Sequence, residues 1–300
     1  MPETPPESER DVEQNLECDP ESLEAFALAN DTAAATTKKL DKQAALATYL
    51  RGIEHEDTLA DATLFCAGQA FGAGDERVLG ASGAMMRDVV CPMFSLPPAD
   101  WGRRRRVAGE TGEAMATLWE EAVNPANVPT DRPLQLGDLR ETFDALARAS
   151  SQDLKRDLIR DLLARVRLPR EAAYVGKIIG GDLRTGVRDG VLHAAIAEAF
   201  GREFDDVRRA VLLVGDLGEV AVIAKRDRLT SAKFKLFHPI SFMLATPIET
   251  AAEMEKAIDG QSFVAEHKLD GIRMQIHKQG TGALARVAMF TRTMDHAEES

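Results

Sequence analysis

Between residues 23 and 225 apolar side chains recur three and four positions apart, the spacing of helices that bury one face. Leu23 to Arg51 reads as helical, with Leu40, Ala44, Ala47 and Leu50 along one face. A second helix is expected over 57–72, with Asp57 as its cap and Gly72 as its stop, and a third over 75–90. The three prolines of "CPMFSLPPADWG" (91–102) predict a loop. Helices resume over 111–123, then 136–150 and 151–166 after another proline-bearing loop (124–133), with Leu154, Leu158 and Leu162 assigned to the core. Stretches 170–181, 188–201 and 204–225 complete the helical series, and no repeat period marks a solenoid.

The pattern changes near residue 236. "LFHPISFMLATPIET" holds two prolines and no helical period, which reads as a linker or the entry to a second domain. One short helix follows over 251–258, and then the period becomes two. Strands are expected over 262–268, 272–277 and 286–292, with Asp270-Gly271 as a hairpin-type turn. In that reading Phe263 and Ala265 share one face of the first strand, and Glu266 and Lys268 the other. The second strand turns Ile272, Met274 and Ile276 inward and Arg273, Gln275 and His277 outward. The fold class is therefore mostly α: an all-helical domain followed by the first strands of an α+β domain.

Composition adds three points. The chain has 300 residues, 44% of them hydrophobic and 29% charged, as expected of a globular chain with about two domains, and no apolar run reaches the length of a membrane span. The three cysteines, Cys18, Cys66 and Cys91, are odd in number and widely spaced, which fits a reducing cytoplasm rather than a disulfide framework or a zinc site. The net charge of −12 argues at first against a nucleic-acid partner, but nine acids and a single base, Arg10, fall within residues 1–30. An acidic, disordered tail over 1–20 is expected, and basic clusters lie elsewhere: Arg103–Arg106, Arg184 with Arg188, and Lys225, Arg226, Arg228, Lys233 and Lys235. Each cluster reads either as a solvated face or as a phosphate-binding field, because local charge outweighs net charge in such contacts.

The most specific short segment is "EHKLDGIRMQIH", residues 266–277. A lysine held at the end of a strand is either a solvated turn residue or a nucleophile, and as a nucleophile it must first lose its proton. An α-phosphate is a suitable target, giving a phosphoramidate as pyrophosphate leaves. Glu266 would accept hydrogen bonds from a base or ribose, and Arg273 and Arg292 would hold phosphate or sugar.

This segment, followed by "FTRT", resembles the nucleotidyltransferase motif of ATP-dependent DNA ligases. "GDLRTGVRDGVLHAAIAEAFG" (181–201) and "VLLVGDLGEVA" (211–221) resemble that family's helical DNA-binding domain, and "HPISFMLATPI" (238–248) the entry into its adenylation domain. RNA ligases and capping enzymes share the lysine motif; the helical blocks are what point to DNA. The resemblance covers about 23–300 and divides the chain into the tail, a DNA-binding domain over 21–235 and the start of an adenylation domain over 236–300. It implies that Lys268 carries AMP, that Glu266, Arg273 and Arg292 bind the nucleotide, and that ATP and Mg²⁺ are required. It further implies a monomer acting on nicked duplex DNA in the cytoplasm, at the nucleoid of a prokaryote, in DNA repair, replication or recombination. In the loop Leu183-Arg184-Thr185-Gly186, backbone N–H groups and Arg184 would grip DNA phosphates, with a surface salt bridge as the other reading of Arg184. The family's later motifs are not found in the 32 residues after Lys268, so the chain is expected to be an N-terminal portion of such a ligase. The alternative is a non-catalytic DNA-binding helical protein with a nucleotidyltransferase remnant.

Overall fold

The computed structural model describes residues 18–72, 75–128, 132–240, 247–292 and 297. The expected disordered tail therefore lies almost wholly outside the described residues, as does all of "SFMLAT" (241–246) within the linker. The chain divides into two compact units, Met1–Phe234 and Lys235–Ser300.

The first unit is built outward from helix α1 (Leu23–Ala34). Its Ser22 cap accepts a hydrogen bond from the Ala25 N–H at 3.1 Å. Leu23, Ala25–Asn30 and Ala33 are all buried, so α1 is covered on nearly every side, as the central helix of a bundle must be. Helix α2 (Lys39–Gly52) packs on it after a break at 35–38. The buried face of α2 is Lys42, Leu46, Ala47, Tyr49 and Leu50. The expected stripe is thereby corrected: Leu40 is 74% exposed and Ala44 is also exposed.

Helices α3 (Glu56–Cys66), α4 (Gly83–Met93), α5 (Pro98–Ala108) and α6 (Thr111–Ala122) follow. The predicted loop over 91–102 is thus shorter than expected. Pro98 opens α5, where its missing N–H costs nothing and its fixed φ suits the first turn. Helix α3 starts one residue before the expected cap Asp57 and stops at Cys66, well short of Gly72. Helix α4 begins only after Ser82, whose hydroxyl accepts from the Met85 N–H.

Helices α7 (Leu136–Arg148), α8 (Gln152–Leu163), α9 (Pro169–Gly180) and α10 (Asp189–Phe200) lie close to their predicted spans. On α8 the buried set is Lys155, Ile159, Leu162 and Leu163, while Leu154 is 47% exposed and Leu158 half-buried. The stretch 204–225 forms two helices, α11 (Phe204–Val214) and α12 (Leu217–Lys225). Gly215 at φ 75° breaks them apart, and Asp216 caps the second through the Glu219 N–H at 2.9 Å.

A relay of edge-to-face aromatic rings ties these layers together. Phe26 meets Tyr174 at 5.7 Å and Phe65 at 6.4 Å, and Phe65 meets Phe143 at 5.6 Å. Both tryptophans are buried to 1% exposure, and Trp119 donates its indole N–H to the Val166 carbonyl at 3.2 Å. Asp138 binds Arg132 and Arg165 at 2.8 Å each, and with the Gln135 N–H these hold its carboxyl down at about 2 against the opposing cost of burial.

Helices α6 and α9 cross closely. A methyl group at Gly112 would lie 2.7 Å from the Ala173 carbonyl oxygen, which is backbone and cannot swing aside. Gly112→Ala gains about 1 kcal/mol in helix propensity, yet the crossing must open to accept it. The expected net loss is about 1–3 kcal/mol, read as a fall in Tm of roughly 2–4 °C per kcal/mol, and an unchanged Tm would contradict the close crossing.

The second unit holds helix α13 (Ala251–Ile258) and one antiparallel pair, β1 (Gln275–Gln279) and β2 (Arg286–Phe290). The alternating stretch 262–268 forms no strand, because no neighbouring chain among the described residues accepts its backbone bonds. The faces of β1 also differ from expectation. His277 is 6% exposed, Gln275 is half-buried, and Ile276 is 65% exposed. The register explains why. Gln275, His277 and Phe290 share the face that packs on the segment around Phe237 and Ile240, where Gln275 exchanges two hydrogen bonds with the Ile240 backbone. His277 Nδ1 accepts the Phe237 N–H at 2.8 Å, which requires the neutral ring; desolvation, then the neighbouring His238, lowers its pKa accordingly. The other face carries Ile276 and Val287, 65% and 54% exposed, and the half-buried Met289.

Candidate functional site

Two groups of predicted residues fall in different units. The first is the loop between α9 and α10. Helix α9 stops at Gly181, φ 73°, and two more residues adopt positive φ before α10: Arg184 at 54° and Gly186 at 67°. The loop alternates in burial. Leu183 and Thr185 are 4% and 5% exposed, while Asp182, Arg184 and Gly186 face solvent. Two inward side chains thus nail down a loop whose backbone stays accessible.

Arg184 is held from both sides. Its Nη1 donates to the Gly109 carbonyl at 3.3 Å, and its Nε lies 3.3 Å from Glu110 and 3.5 Å from Asp182. The guanidinium side chain remains 55% exposed, where such pairs contribute little to stability and are screened by salt. Glu110 sits between Arg184 and the nearly buried Lys177, and burial pushes its carboxyl up in spite of those two cations. Arg188, immediately before α10, has no carboxylate partner among the described residues.

One residue of this site was not singled out in the sequence. Lys42 of α2 is 7% exposed, and its Nζ donates to the Ala33 carbonyl at 2.7 Å and the Thr185 carbonyl at 2.6 Å. It joins the end of α1, the start of α2 and the loop. The available signal was a lysine on the apolar stripe of Leu46, Tyr49 and Leu50.

The second group, apart from Arg292, lies on residues 261–274, all exposed and without helix or strand. Glu266 and Lys268 make no hydrogen bond or ion pair among the described residues. Gly271 marks a bend rather than a hairpin turn; the hairpin is made by β1 and β2. Arg273 lies two residues before β1 and Arg292 two residues after β2, so both arginines flank the open end of the hairpin. A carboxylate, an amine and two guanidinium groups match the chemistry of an adenosine phosphate. Glu266, Lys268, Arg273 and Arg292 stand in exposed, open positions that do not enclose such a group.

A family model described as DNA ligase N terminus matches residues 23–192 of this chain. A protein named probable DNA ligase from Koribacter versatilis is 38% identical over 282 residues, 93% of this chain and 46% of that protein. Another probable DNA ligase, from Opitutus terrae, is 30% identical across 92% of the chain and 32% of its own length. The protein named DNA ligase from Methanopyrus kandleri is 32% identical across 83% of the chain and 44% of its length. The chain spans less than half the length of each of these relatives.

Proposed function

We propose, because this chain belongs to the DNA ligase N-terminus family, that it supplies the DNA grip and the nucleophilic lysine of an ATP-dependent ligase that seals nicks in duplex DNA. The observation carrying this reading is that one chain joins a family-matched helical unit, bearing an exposed backbone loop flanked by arginines, to the Lys268-Leu269-Asp270-Gly271 segment. In this reading Lys268 attacks the α-phosphorus of ATP through Nζ, a nitrogen–phosphorus bond forms as the bond to pyrophosphate breaks, and the amine proton passes to solvent. Glu266 accepts hydrogen bonds from the nucleoside, and Arg273 and Arg292, at one end of the hairpin, hold its phosphate. The AMP then passes to the 5′-phosphate of the nick, and the 3′-hydroxyl displaces it. Mg²⁺ would neutralise phosphate charge. Arg184 and the Gly186 backbone hold the duplex backbone without reading bases, while Thr185, buried and bonded to Lys42 and Val187, shapes the loop rather than touching DNA. The protein works as a monomer in the cytoplasm, at the nucleoid; no described helix is long and apolar enough to cross a membrane.

The reading is tested first on the 300-residue chain with fluorescently labelled nicked duplex. Binding is expected with little sequence preference, its logarithm falling linearly with the logarithm of salt by about 0.9 per phosphate contacted. Absence of binding at low salt, or binding indifferent to salt, would remove the DNA-binding half of the proposal.

A further inference from the structure

We infer that Lys42 is the positioning residue of the 181–188 loop: it turns an N–H group of the loop toward DNA phosphate and places an uncompensated positive charge behind it. This rests on the DNA-binding reading above. Burying an ammonium is costly unless its donors are satisfied and its charge is met. Two of its three donors bind the carbonyls of Ala33 and Thr185, and no carboxylate pairs with it among the described residues. Lys177, also beside this loop, is by contrast paired with Glu110 and Glu113.

The bond to Thr185 has a geometric consequence. Across a trans peptide the C=O and the following N–H point in opposite directions. With the Thr185 oxygen drawn inward to Lys42 at 2.6 Å, the Gly186 N–H is directed away from the protein. That N–H has no acceptor among the described residues, whereas the Arg184 and Val187 N–H groups are taken by Asp182 Oδ1 and Thr185 Oγ1. Gly186 permits this arrangement at φ 67°, and a methyl group there would stand 3.4 Å from Lys42 Nζ. Beyond it lies the N-terminus of α10, where the Asp189 and Gly190 N–H groups have no acceptor among the described residues, and Arg188. The loop therefore offers an anion a donor, a helix N-terminus and two cations, one of them fixed beneath the donor by the fold.

The test compares two buried lysines. Lys155 is 9% exposed and donates to the Leu79 carbonyl, again without a carboxylate, but away from this loop. Lys42→Met and Lys155→Met are measured in the 300-residue chain for Tm and for nicked-duplex affinity between low and moderate salt. Both are expected to lower Tm. Only Lys42→Met is expected to weaken binding, by roughly tenfold at low salt, and to flatten the salt slope by about one unit. If Lys42→Met retains the wild-type affinity and slope, or Lys155→Met shifts the slope equally, the assignment is overturned. Glycine-selective ¹⁵N spectra of the wild type give a reading independent of variant folding. Adding nicked duplex should displace the Gly186 amide resonance, and salt should restore it; a Gly186 resonance unmoved while the duplex is bound refutes the proposal. Failure of the wild type to bind duplex at all would instead refute the DNA-binding reading on which the inference rests.

Discussion

Replacing Lys268 with alanine, in a protein carrying this chain together with the remaining length found in its relatives, is expected to abolish transfer of label from α-labelled ATP to protein. The loss should be about 10⁴-fold or more, the scale on which removal of a nucleophile acts. Lys268→Arg should fail as completely, since a guanidinium stays protonated and cannot attack phosphorus. A general loss of fold would not explain such a result, because Lys268 is exposed and makes no described contact whose removal would cost stability. Retention of the labelled adduct in either variant would move the nucleophile elsewhere. The 300-residue chain by itself should form little adduct even with Lys268 intact. Its donors stand on an open segment, and nucleophilic attack needs the phosphate held in line and dry.

Hydrogen exchange should divide the chain just as sharply. Amides 262–272 donate to no acceptor among the described residues and should exchange at close to the rate of an open chain. Amides in the interior of α9 and α10 open only with a large part of the helical core, and should exchange roughly 10³-fold more slowly or beyond. The β1–β2 pair belongs between these limits, since a lone hairpin whose Ile276 and Val287 stay largely exposed is marginal in water. Equal protection in 262–272 and 192–199 would show the second unit to be as self-sufficient as the first.

Most of the helical architecture was legible because period and capping agreed. Helix α13 matches its predicted span, and α9 and α10 begin and end within one residue of theirs, where Gly181 and Gly201 stop them. The misses have physical causes. On α2 a sequence rich in alanine and leucine offers more than one apolar stripe; the true one contains Lys42, which hid it. Proline is a loop signal in the sequence, but Pro98 starts a helix. Alternation over 262–268 describes how side chains would sit in a strand, but a strand also needs a neighbour to take its backbone bonds. At His277 the expected faces reversed because the Phe237 N–H and the Phe290 ring gave the imidazole a place inside. The candidate site was legible as residue types at a spacing. The inward turn of Thr185 was not, since it depends on a lysine 143 positions away in the chain.

The two buried tryptophans fix what optical spectroscopy will report. Trp101 and Trp119 are the chain's entire tryptophan content, and both lie in the helical unit, screened from water. Excitation near the red edge of protein absorption therefore yields blue-shifted emission from that unit alone. A melt followed by this signal traces the loss of the α5–α6 region and is silent about residues 235–300. The segment bearing Lys268 can fray, pair with another surface or become ordered without altering the trace, so its behaviour has to be followed with a fluorophore introduced beyond Phe234.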